Sequence, residues 1–375
     1  MDAARNTTPS PTSAEGSRHV WAALVGAALL SLLLACQTPA AAPTPAAAPT
    51  STAAPMLTPA PTAAATAAPT QTPVVTAAAT AATYPLSLVD DEGTTVVLAQ
   101  RPERVISLSP AITETVFALG AGDRLVGGTD FDDYPAEAAA LPDVVANVRV
   151  LIEQIVDLEP DLVLAAGNNF TPTADIARLR DLGLPVLVTY ADSMDGALRD
   201  IRLIGSALGA DAEAEAIVAG MEARVAEVSA AVGTIEERPR VFYELGAEPQ
   251  LFGPAPDSFP ADLITLAGGE PITTTDPQVF TISLERLVSL DPEVIVLGDA
   301  NYGVCPDDVS GRPGWGTMTA VEEGAIVPVD DIIVTRPGPR LAEGLAALTL
   351  AIHPEADIEP PAGAAVLCAA SETVE

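Results

Sequence analysis

Histidine and lysine, the side chains that most often shuttle protons or grip phosphate, are nearly absent from this sequence. There are two histidines, His19 and His353, and no lysine; all 17 cationic side chains are arginine. His353 is the lone imidazole beyond the apolar front segment, so a histidine-based acyl-transfer triad lacks its members. No Gly-x-Gly-x-x-Gly follows a strand, and a phosphate loop of the usual kind needs a lysine. The 51 acids show no spacing that singles out a carboxylate pair. One imidazole is too few for a zinc receptor, and no tyrosine–carboxylate cluster for a bare ferric ion can be assembled. The expectation is a binding protein, not an enzyme, with no cofactor.

The formal charge of −34 would repel nucleic acid, which excludes that class of partner. At the front, Val20–Ala35 is an uncharged apolar run preceded by Arg5 and Arg18. It is shorter than the ~20 residues of a membrane span and has the layout of a secretory signal. The sequence Leu33-Leu34-Ala35-Cys36 resembles the lipobox of bacterial lipoproteins, which implies acylation of Cys36 and a lipid anchor in the membrane. Residues 37–83 carry no charge and are rich in alanine, threonine and proline. Proline that frequent prevents helix, and the segment predicts a loose tether, partly polyproline II. Cys305 and Cys368 remain, an even pair in an oxidising compartment. A disulfide between them is the expectation; two separate thiols are the alternative.

The foldable chain alternates apolar strands with helical segments, which predicts an α/β fold. RVISLS, RLVGGTD, DLVLAAG and LPVLVTY read as strands of a first lobe, and Ser109-Pro110 opens its first helix. RPRVFYEL begins a second lobe. Glu153-Gln-Ile-Val-Asp-Leu-Glu-Pro-Asp-Leu-Val-Leu recurs 132 positions later as Glu285-Arg-Leu-Val-Ser-Leu-Asp-Pro-Glu-Val-Ile-Val. The repeat says that both lobes are built alike: helix, proline turn, central strand. Between them, Met194–Val232 has no proline and spaces its apolar residues as a helix does, with a break near Gly209 and Asp211. The expected organisation is signal 1–35, linker 36–83, N-terminal lobe 84–205, backbone helix 206–237, C-terminal lobe 238–358 and tail 359–375.

The stretch RVISLSPAITETVFALGAGDRLVGGTDFDDYP resembles the opening of the iron–cobalamin periplasmic-binding family of helical-backbone metal-chelate receptors. IEQIVDLEPDLVLA, DSFPADLITLAGGEPI, WGTMTAVEEGAIVPVD and RPGPRLAEGLAALTLAIHPE continue the likeness in order, over about Arg101 to Glu355. The resemblance implies two Rossmann-like lobes joined by a long backbone α-helix, a ligand held between them, and delivery by a monomer to the permease of an ABC importer. It also implies that Glu153 and Glu285, which open the repeat, dock on the permease. The implied ligand is a metal chelate: a corrinoid first, then a ferric siderophore, then haem. The chain departs from cobalamin receptors in having Trp315 as its sole tryptophan after the signal, with Asn147 and Ala166 where aromatics would be expected. A surface sensory or adhesion module on the same fold is the competing reading.

In doubly wound sheets ligands lie beyond the carboxyl ends of strands. That rule nominates Ser109, Thr113, Phe131, Tyr134, Asn169, Phe170, Tyr243, Phe252 and Arg336 as ligand-binding residues. The aromatic rings offer flat faces to a macrocycle, and Arg336 offers a charge to a ligand carboxylate or phosphate.

Overall fold

The computed structural model describes residues 83–167, 170–361 and 368, all within one compact unit, Val74–Glu375. The signal segment, Cys36, nearly all of the linker, Asn168, Asn169 and most of the expected tail lie outside the described residues.

The first elements are a hairpin that the sequence pattern did not reveal, β1 (Leu86–Val89) paired antiparallel with β2 (Thr95–Leu98). Each strand is four residues long, too short for its alternation to stand out. The turn is held by Asp90, which accepts hydrogen bonds from the amides of Glu92 and Thr94 and pairs with Arg180 at 2.8 Å.

The N-terminal lobe follows: β3 (Val105–Ser107), α1 (Pro110–Ala118), β4 (Leu125–Thr129), β5 (Asp143–Ala146), β6 (Arg149–Val150), α2 (Ile152–Asp157), β7 (Leu162–Ala166), α3 (Thr173–Asp181) and β8 (Val186–Thr189). Its sheet has the order β6-β5-β4-β3-β7-β8, parallel except for β6 against β5. Then come α4 (Met194–Leu208) and α5 (Asp211–Val232). The C-terminal lobe comprises β9 (Arg240–Glu244), α6 (Phe259–Leu266), β10 (Glu270–Pro271), α7 (Leu284–Leu290), β11 (Val294–Leu297), α8 (Pro306–Ser310), α9 (Thr319–Glu322), β12 (Ile326–Pro328), α10 (Asp331–Thr335) and α11 (Leu341–Ile352). Its sheet order is β10-β9-β11-β12, all parallel. Strands β7, β8 and β11 are nearly unbroken apolar runs because a parallel sheet is covered on both faces.

The repeat extends to individual hydrogen bonds. Strands β4-β3-β7-β8 in one lobe correspond to β10-β9-β11-β12 in the other. Glu159 and Asp291, before the repeat prolines, both take the left-handed backbone conformation, φ 46° and 48°. Arg104 donates from Nε to the carbonyls of Leu158 and Glu159. Arg240 does the same to those of Leu290 and Asp291. Each arginine thus satisfies carbonyls that the end of its helix leaves without an intrahelical partner.

Helix α5 begins at Asp211, after the break expected near Gly209 and Asp211; Gly209 terminates α4 at φ 64°. Ser193 caps α4 by accepting from the Gly196 amide. Ser109 occupies the N-cap position of α1 but makes no capping bond. At 22 residues and ~1.5 Å per residue, α5 is about 33 Å long. Its buried residues Ala214, Val218, Met221, Val228 and Val232 form one stripe, packed against α4 and α11. These side chains join a single apolar cluster running from Val105 and Leu164 in one sheet to Val241 and Val296 in the other. A separate cluster fills the other face of each sheet, around Ile155 in the first lobe and Leu287 in the second.

Cys305, at the start of α8, is disulfide-bonded to Cys368 with Cα atoms 5.5 Å apart. Replacing both cysteines with serine is expected to cost ~2–5 kcal/mol, read as a lower denaturation midpoint. An unchanged midpoint would mean that the link contributes nothing.

Candidate ligand-binding cleft

A cavity of about 630 Å³ opens between the lobes, within the range of ~300–1,000 Å³ usual for small-molecule sites. The first lobe supplies Ser109 and Ala111 after β3, Phe131 after β4, Ala166 at the end of β7 with Gly167 and Phe170 after it, and Tyr190 and Ala191 after β8. The second supplies Tyr302 after β11, then Asp331, Ile332, Thr335 and Arg336. Asp200 and Ile204 of α4 also line it. The wall is largely apolar. Phe131, Val148, Phe170, Tyr190 and Tyr302 line it yet remain between 41% and 83% exposed, so its aromatic surface is unusually accessible.

Of the residues nominated from the sequence, Ser109, Phe131, Phe170 and Arg336 come together here. Asn169 lies outside the described residues. Thr113 and Tyr243 do not reach the cleft, and both are fully buried. Thr113 lies within α1 and donates to Asp132 Oδ2 at 3.0 Å. Tyr243 lies inside β9 and donates to Asp331 Oδ1 at 2.7 Å. The strand-end rule applies to residues past a strand, and these two lie within elements whose inward faces form the core. Phe252 bridges Gly246 and Thr281 in a loop and is not part of the cavity wall. Tyr134 stacks beneath Arg340, 4.1 Å from guanidinium carbon to ring centre, and is not part of that wall either.

Arg336 meets protein carboxylates across the cleft. Its Nη1 lies 3.1 Å from Glu114 Oε1 and 2.6 Å from Asp133 Oδ1. Arg340 occupies the N-cap of α11 and grips Glu114 with two bonds of 2.8 and 2.7 Å. Glu114 belongs to the first lobe and both arginines to the second, so this cluster ties the lobes together. Among the described residues, no group of three or more histidine, cysteine, aspartate or glutamate side chains is arranged to hold a metal. Glu153 and Glu285 are exposed in the first turns of α2 and α7. Neither forms an ion pair among the described residues.

The model of the family described as "Periplasmic binding protein" matches residues 105–332. The chain belongs to the periplasmic binding protein family. It is 32% identical to YvrC of Bacillus subtilis, an ABC transporter substrate-binding lipoprotein, over 72% of this chain and 87% of that one. It is 33% identical to a cobalamin-binding protein of Halobacterium salinarum, over 72% and 75%. Among solved structures, the vitamin B12-binding protein BtuF of Vibrio cholerae is similar at TM-score 0.60 and 25% identity, over 67% of this chain and 96% of that one. The haem-binding protein RhuT of Roseiflexus sp. RS-1 is similar at 0.59 and 27%, over 67% and 98%. The chain's α/β fold is shared with these solved structures.

This periplasmic binding protein carries cleft residues that sequence reasoning missed. Tyr190 and Tyr302 obey the strand-end rule, lying just past β8 and β11. Asp200 and Ile204 gave no signal, since they come from the helix beneath the cleft. Asp200 is 6% exposed. Burial pushes its carboxyl up to about 9, helped by hydrogen bonding to and repulsion from Asp91. Asp299, near Tyr302, is pushed up to about 7 by burial and by Glu244. Both ordinary values are 3.8, so the folded state holds these protons where the unfolded chain has lost them. Stability from them is complete below about pH 4 and falls as pH rises, through about 7 for Asp299 and about 9 for Asp200. Asp200→Asn is therefore expected to flatten the decline of melting temperature between neutral pH and about pH 9. A variant with the wild-type slope would show that Asp200 does not hold its proton.

Proposed function

We propose that this protein is the extracytoplasmic substrate-binding component of an ABC importer, capturing a metal chelate, a corrinoid first, between its lobes. The observation that carries this reading is the apolar cleft lined by the accessible rings of Phe131, Phe170, Tyr190 and Tyr302. Flat π faces suit a large, partly apolar macrocycle. Relatives named for cobalamin and vitamin B12 support the corrinoid. Haem is the second reading, supported by the Roseiflexus structure and by the two tyrosines in the cleft.

The lipobox-like Cys36 and the proline-rich segment after it support a lipid-anchored monomer tethered at the outer face of the cytoplasmic membrane. Glu153 and Glu285 would meet cationic residues of the permease, each from the same position of a duplicated helix. Exposed ion pairs of this kind add only ~0–1 kcal/mol each, so their role is orientation and encounter rate. A sensory or adhesion module would need no permease.

Calorimetric titration with cyanocobalamin, haemin and a panel of ferric siderophores tests the ligand. Sub-micromolar binding of cyanocobalamin is expected, with Phe131→Ala and Phe170→Ala each weakening it by about tenfold. Binding of haemin alone would replace the corrinoid reading, and binding of none would remove the chelate. For the docking role, Glu153→Ala with Glu285→Ala is expected to leave ligand affinity intact and to cut uptake. Uptake at the wild-type rate would remove the docking assignment.

A further inference from the structure

Among the described residues lining the cleft, Arg336 is the one cation. As the lone cation of a largely apolar lining it would be the natural anchor for an anionic ligand group. The structure gives it protein partners instead. Asp133 engages both guanidinium nitrogens, Nη1 at 2.6 Å and Nη2 at 3.4 Å. Glu114, 4% exposed, takes Nη1 at 3.1 Å and holds Arg340 on both oxygens. Two guanidinium groups face two carboxylates, so the cluster carries no net charge.

The rest of the lining adds no positive charge. Asp331 and Asp200 are acids, and the chain as a whole carries −34. A ligand carboxylate entering this cleft meets two alternatives. It can displace Asp133 from Arg336, leaving Asp133 without its partner, or it can lose water and remain unpaired. The first exchanges one ion pair for another and gains little, since Asp133 is half exposed; the second is unfavourable, because a charge removed from water without a partner is expensive. A neutral or cationic ligand does not meet that cost.

We propose that Glu114 and Asp133 are specificity-determining residues: by neutralising Arg336 they make the cleft select neutral or cationic chelates and reject anionic ones. This rests on the chelate-binding reading above and narrows it by charge. It is specificity by an unfavourable term for the wrong ligand, without any new attraction for the right one.

The test is a charge series on one macrocycle. Purified, detergent-solubilised protein is titrated by calorimetry near neutral pH with cyanocobalamin and with corrinoids whose propionamide arms have been hydrolysed to carboxylates. Each added carboxylate is expected to weaken binding by about tenfold. In Asp133→Asn, and in Glu114→Gln, the mono-carboxylate is expected to recover about tenfold relative to cyanocobalamin. Asp133 is half exposed, so its variant keeps the test valid where Glu114→Gln fails to fold, as a thermal melt would reveal. Carboxylated corrinoids that bind the wild type as tightly as cyanocobalamin would overturn the charge selectivity and leave chelate binding standing. Discrimination unchanged in Asp133→Asn would overturn the assignment to the Arg336 cluster. Binding of no corrinoid at all would remove the corrinoid reading and this inference with it.

Discussion

The buried stripe of α5 sets the geometry on which the rest of the molecule depends. Ala214, Val218, Met221, Val228 and Val232 lie on one face, spaced so that successive turns meet α4 and α11. Burying a valine or methionine side chain contributes roughly 1.5–3 kcal/mol, so the stripe is a strong tether. Its apolar cluster continues into both sheets without a break. Two lobes sharing one core cannot swing apart on a flexible hinge without exposing it. The cleft is therefore a largely preformed space whose width is set by side chains far from its mouth.

A second fastening acts at the cleft itself. Glu114 reaches from α1 to Arg336 and Arg340, and Met194 of α4 donates its amide to Asp262 of α6 at 3.2 Å. The loop carrying Arg336 also presses closely on α1: a Cβ built on Gly338 would lie 3.3 Å from the Ala111 carbonyl oxygen. A side chain there would press on α1, which would have to give by a few tenths of an ångström. The same cluster thus spaces the lobes and decides what charge the cleft presents.

One buried carboxylate in each lobe is satisfied in the same economical way. Asp132 accepts from Thr113 and twice from Thr129, and Asp331 accepts from Tyr243 and Thr335. In both cases burial raises the carboxyl while the hydroxyl donors lower it. These networks are why Thr113 and Tyr243, plausible ligand contacts by residue type, are structural. A buried donor is paired internally before any ligand arrives.

The amino-acid sequence by itself determined the α/β class, the duplicated lobe, the position of the connecting helices and the scarcity of histidine and lysine. These follow from local periodicity, from proline and glycine punctuation, and from a repeat that preserves Ile155 and Leu287 as core residues and Glu153 and Glu285 as exposed ones. It also pointed to Phe131, Phe170 and Arg336 at the cleft, because residues just past a parallel strand lie at its open end. Only the tertiary structure decided which neighbours those residues have. Arg336 finds Glu114 and Asp133, more than 200 positions away, and Asp200 reaches the cleft from a helix whose own pattern says only that one face is buried. Charge pairing and burial across such distances depend on how two lobes pack, and no local spacing carries that information.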